Sequence, residues 1–206
     1  MPPEDRFVCR FAAEPPQAGA PYGRWEESLR TEFLAAVAAI DAGDEDLGEP
    51  GEPVWHPDRT WWGRTFIPVT APTSTGLELF GYVSYLPPSG DGEEPSEFFA
   101  SADFTDETAD RNPDWKLDLC EEVVGGWRGE SANVAAMTLV WGRPLVGDGV
   151  IVTAELANLA VDQCPVTDGR FTLLAPDAYR GDYLEIKLFD RKGNQIASES
   201  LYDEDE

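Results

Sequence analysis

The chain holds one histidine, three cysteines and forty acidic residues among 206, and these bound the chemistry open to it. Acyl transfer through a Ser-His-Asp or Cys-His relay would have to use His56. That residue sits in Val54-Trp55-His56-Pro57, where an exposed or capping role is expected. Gly129-Glu130-Ser131-Ala132-Asn133 lacks the final glycine that a nucleophile elbow needs for its sharp turn. Gly125-Gly126-Trp127-Arg128-Gly129 has no lysine to reach a phosphate, so nucleotide hydrolysis is disfavoured as well. Cys9, Cys120 and Cys164 are odd in number, widely separated and outside any C-x-x-C pair. Three free thiols are expected, with neither a disulfide framework nor a zinc knuckle.

Carboxylates remain. Asp91 to Glu122 carries twelve acids and two bases, and includes Asp103, Asp106, Glu107, Asp110 and Asp114. As calcium ligands these fail the EF-hand spacing, because the sixth position of a loop begun at Asp103 is Thr108 where glycine is required. No metal and no cofactor is expected. Two carboxylates can hydrolyse a glycoside when they stand at a defined separation beside aromatic rings. Trp61, Trp62, Trp115, Trp127 and Trp141 are candidates for such a platform, although core packing is the expected use of most of them. Trp61 and Trp62 are adjacent, and on a strand neighbours point to opposite faces, so one of the two is expected at the surface.

The charge balance narrows the partners. Fifteen bases against forty acids give a formal charge of −25, which leaves no basic stripe for a nucleic-acid backbone or an anionic lipid surface. Met1-Pro2-Pro3-Glu4-Asp5-Arg6 lacks the basic and apolar regions of a secretory signal, and no apolar run approaches ~20 residues, so a cytoplasmic chain without membrane contact is expected. Only three of the fifteen bases are lysine, a usage that also suits a salt-adapted or GC-rich source in which the acids serve solubility alone.

The elements that must position these groups are mostly strands. One 3.6-residue stripe stands out: over Arg24 to Ala42, the residues Trp25, Leu29, Phe33, Ala36, Val37 and Ile40 fall within an arc of about 120°, as a core-facing helix requires. Glu26 and Glu27 are expected in its first turn and Gly43 at its end. An acidic linker is expected over 44–57, where Asp44 to Glu52 has five acids and no base. Before the helix, Phe7, Cys9 and Phe11 alternate as a half-buried strand does. Beyond residue 58 come strand candidates at Trp61–Thr70, Leu77–Leu86, Glu97–Phe104, Trp115–Val124, Ala132–Trp141, Val150–Ala160, Arg170–Leu174, Asp182–Asp190 and Gln195–Leu201. Leu184, Ile186 and Leu188 face one way and Glu185 and Lys187 the other, the mark of a sheet with one wet face.

This pattern predicts a mainly β protein, an antiparallel β-sandwich with one amphipathic helix near the N-terminus. Thr167-Asp168-Gly169-Arg170-Phe171-Thr172-Leu173 through Ala197 has the character of the end of an immunoglobulin-like sandwich. Three stretches are expected: residues 1–43 packed on the sheet, the 44–57 linker, and a β region over 58–206, either continuous or split into two small sandwiches near 147–149. For function, the reading is a non-enzymatic interaction module (inhibitor, immunity-type or adaptor) that meets a basic protein partner through Asp103, Asp106, Glu107, Asp110 and Asp114. The alternative is a carbohydrate-binding or hydrolytic β-sandwich that uses surface tryptophans and carboxylates.

Overall fold

The computed structural model of the protein describes residues 22–90, 93–128 and 134–201. The Phe7–Phe11 strand, Cys9 and the Gly129–Asn133 segment lie outside the described residues, as does Asp91. The described chain contains one helix, α1 (Tyr22–Val37), and twelve strands. These are β1 (Val54–Trp55), β2 (Arg59–Trp61), β3 (Arg64–Pro72), β4 (Glu78–Leu86), β5 (Ser96–Thr105), β6 (Leu117–Arg128), β7 (Val134–Pro144), β8 (Gly149–Leu156), β9 (Leu159–Pro165), β10 (Phe171–Asp177), β11 (Glu185–Asp190) and β12 (Gln195–Ser200).

The strands form three antiparallel sheets. In the first the order is β1-β3-β4-β5, with β2 joined to β3 beside β1. The second is β10-β7-β6 and the third is β12-β11-β8-β9. Three apolar clusters tie the layers together, and the period of two decides which residue joins which. Ile67 and Val69 of β3 meet Leu29, Phe33 and Val37 of α1, whereas Phe66, the neighbour of Ile67, turns to the other face and packs with Tyr82, Leu139, Trp141 and Leu174. Val140 and Leu173 point the opposite way from Leu139 and Leu174, into a cluster with Val152, Ala154, Ile186 and Leu188 of the third sheet. Strands covered on both faces need apolar residues at successive positions, which is why β3, β7 and β10 read as runs rather than as alternations.

Several expectations are corrected. The helix starts two residues before Arg24, so Glu26 and Glu27 fall beyond its first turn. It stops at Val37 rather than Ala42, because its end tightens: Ala39 and Ile40 donate to Ala36 and Val37, three residues back. That turn keeps Ile40 on the core, where Leu47 joins it. Within the stretch read as a linker, Val54 and Trp55 pair with Thr70 and Val69, and the Ser74 amide donates to the Glu49 carbonyl. The stretch is thus tied to the sheet at Glu49 and along Val54–Trp55, while its acids at 44–46, 49 and 52 are exposed. The expected strand Val150–Ala160 is a hairpin, turned by Ala157 and Asn158 in the left-handed region (φ 51° and 61°). Trp61–Thr70 is likewise interrupted, by Trp62 and Gly63 at φ 51° and 76°. Among the described residues, no helix is long and apolar enough to cross a membrane.

Candidate docking surface

The five acids singled out by sequence lie on and beside the β5–β6 connection. Asp103 is an exposed strand residue of β5, and Asp106, Glu107, Asp110 and Asp114 are exposed on the loop that follows. The loop is braced from inside. Arg111 Nη1 donates to both the carbonyl and the carboxylate of Asp106, each at 2.9 Å, and Asn112 Nδ2 donates to the Thr108 carbonyl at 3.1 Å. The Glu107 amide donates to Thr105 Oγ1. With these polar groups bonded to one another within the loop, its remaining carboxylates are presented to water. Among the described residues only Asp106 of the five is ion-paired.

The negative charge continues into the sheets. Asp118, largely buried at the start of β6, accepts from Arg143 Nε at 2.9 Å. Burial lifts the Glu78 carboxyl above its ordinary value, and the charges of Asp118 and Asp110 lift it further. Downstream, the Glu122 carboxylate accepts from the Ser101 hydroxyl of β5. Burial raises Glu122, and that hydrogen bond opposes the rise. The phenol of Tyr82 is pushed up to about 12 by burial and by the charge of Glu122.

Strand β6 leads out of this loop as an edge of the second sheet. Between it and β12, the facing edge of the third sheet, runs an open groove of about 560 Å³ whose walls include Trp115, Leu117, Leu119, Glu121, Glu199 and Leu201. Glu121 is an exposed residue of the groove wall, and burial of its carboxyl together with the charge of Asp177 pushes it up to about 7. Sequence reasoning stopped short of Glu121 and Glu199 as partners, since nothing local shows which strands end a sheet.

On the opposite side the same two sheets are stitched together. Arg59, 1% exposed, reaches from β2 to donate Nη2 to Asp162 Oδ2 of β9 at 2.6 Å and Nε to the Thr172 carbonyl of β10 at 2.9 Å. Asp162 Oδ2 also accepts the Leu174 amide at 2.9 Å. Burial lifts the Asp162 carboxyl, while the Arg59 guanidinium and the Leu174 and Gln163 amides restrain the rise. Arg170 Nη1 closes the seam by donating to the Trp55 carbonyl at 2.7 Å. His56 is buried here beside the main chain of Gly142 and Phe171, contrary to the exposed or capping role its neighbours suggested. Burial, followed by the charge of Arg170, lowers its pKa to about 3. It is therefore neutral at pH 7 and enclosed away from the exposed acids.

The five tryptophans do not form one platform. Trp141 is fully buried, and Trp127 packs edge-on to Tyr179. Trp115 lines the groove. Trp61 and Trp62 differ in exposure, through the left-handed turn at Trp62 rather than by strand alternation: Trp61 lies over Gly125, where a Cβ would come within 2.8 Å of its ring, and Trp62 is 89% exposed. Cys120 and Cys164 are free thiols, the former half-buried and the latter buried, and burial pushes Cys164 up to about 12. No group of three or more His, Cys, Asp or Glu side chains that could hold a metal ion is found among the described residues. Compared with protein-family models, with curated proteins and with solved structures, the chain matches none.

Proposed function

We propose that the protein is a non-enzymatic binding module that docks a basic partner surface on the acidic face of the β5–β6 loop. One observation carries this reading: a loop braced by its own hydrogen bonds holds Glu107, Asp110 and Asp114 outward with no ion pair among the described residues. Opposed charge of this kind speeds encounter and selects partners more than it adds affinity. Apolar side chains shared between the second and third sheets support a sandwich architecture of immunoglobulin-like character as its scaffold. The test is a Lys variant at Asp103, Asp106, Glu107 and Asp110. Proteins retained from a native lysate at low and high salt are identified for wild type and variant, with circular dichroism confirming the fold. A basic protein retained by wild type at low salt and lost from the folded variant supports the reading; retention unchanged in the variant rejects it.

A second reading rests on Trp62. A ring left 89% exposed at a hairpin tip, with Trp61 6.0 Å away and tilted by 43°, suits stacking on a sugar. Retention on a polysaccharide gel that Trp62→Ala abolishes would favour it over the first.

A further inference from the structure

The two edges of the second sheet differ in what their main chains meet. At β10 the Thr172 carbonyl and the Leu174 amide are taken by the Arg59 and Asp162 side chains. At the other edge β6 pairs with β7 and, among the described residues, with no second strand. Along Leu117–Val123 its pairing with β7 is unbroken, opposite Pro144 back to Thr138, and the register slips only between Val123 and Gly125. An edge whose register runs unbroken over this length is a template for another strand. The groove beside it supplies what a bare edge lacks. Leu119 and Leu201 give an apolar lining with buried Leu117 beneath them, and Glu121 and Glu199 place two carboxyl groups there that have no ion pair among the described residues. A second copy of the chain is a poor occupant, because it would bring the same acids, at a net charge of −25 per chain, against these.

We infer that β6 accepts an extended basic segment of a partner protein as an added strand along Leu117–Val123. The segment's apolar side chains enter the groove between β6 and β12, and its Lys or Arg residues meet Glu121 and Glu199. This is the strand-addition mode of recognition, in which main-chain bonds supply affinity and alternate side chains supply specificity. It rests on the docking reading above and adds main-chain recognition to it.

The probe is an acetylated, amidated octapeptide alternating Val and Lys, titrated into the full chain and compared with the same peptide N-methylated throughout. Methylation keeps every charge and side chain but removes the donors. The expected result is binding of the plain peptide at least about tenfold tighter than the methylated one. Slowed hydrogen exchange is expected with it at alternate amides of 117–123, and not along β5 or β9. Equal affinity of the two peptides, protection along another edge, failure of both to bind, or β6 amides already as protected as those of β7 in the free protein would each overturn the inference. Equal binding that weakens with salt and with the four-residue Lys variant removes strand addition while leaving acidic docking in place. Equal binding insensitive to both removes the two together.

Discussion

The second and third sheets share one apolar cluster, yet their two flanks are finished in opposite ways. One flank, at β9 and β10, is sealed by a buried guanidinium, a buried carboxylate and the main-chain groups between them. The other, at β6 and β12, is left as a groove with acids along it. Ionic groups are thus used twice for different ends. Where water is excluded they fix the relation of three sheets, and where water remains they keep an edge soluble and selective.

Breaking the sealed flank should have the largest effect. Arg59→Ala leaves Asp162 as a buried charge without its counter-ion and the Thr172 carbonyl without its donor, and should cost ~3–5 kcal/mol, read from the urea midpoint at constant m value. A loss below about 1 kcal/mol would mean that water replaces the guanidinium.

The same flank sets a pH dependence. His56 has its pKa lowered on folding, from an ordinary 6.5 to about 3. Below pH 6.5 the unfolded chain takes up a proton that the folded chain refuses, so this contribution is whole above 6.5 and is lost as pH falls toward the folded value. Carboxylates lifted by burial, Glu121 among them, act in the opposite sense over the same range. The His56→Gln variant isolates the histidine. The stability difference between wild type and variant should narrow by about 2–3 kcal/mol between pH 7 and pH 4.5. A constant difference would show that His56 titrates alike in both states.

Thiol labelling sharpens the contrast kinetically. Cys164 is 3% exposed in the cluster beneath Arg59, whereas half-buried Cys120 lines the groove. Burial raises both thiols, so both should react slowly in the native protein, Cys120 the faster because Cys164 must wait for a larger opening of the fold. Peptide mapping after timed alkylation reads both sites. Smallest of all should be the effect of Glu199→Lys, a change in unfolding free energy below about 0.5 kcal/mol, as expected of a group at the open groove.

How much of this was legible in the chain depends on distance along it. The β-rich composition and the single helix were readable, since alternation and a 3.6-residue stripe are both local signals. Ala157-Asn158 was not. With no glycine present, only Asn158 hinted at a left-handed turn, and the flanking residues continue an apolar run. Outward placement of Asp106, Glu107, Asp110 and Asp114 followed from their density in a loop. The groove did not, because it exists only where β6 and β12 both end their sheets, a property of pairing between residues some eighty apart. Arg59 and Asp162 gave no sign either: each sits among ordinary strand residues, and their bond spans 103 positions.

That span also has a meaning in time. A ribosome adding ~5–20 residues per second delivers Asp162 roughly 5–20 s after Arg59. During that interval the helix and the first sheet can assemble from residues already made, but the Arg59 guanidinium must stay hydrated, with β2 held off its final place. The N-terminal layers therefore complete their packing only when β9 and β10 emerge. A nascent chain arrested before residue 162 should leave Arg59 open to arginine-directed proteolysis, and one released beyond residue 174 should not.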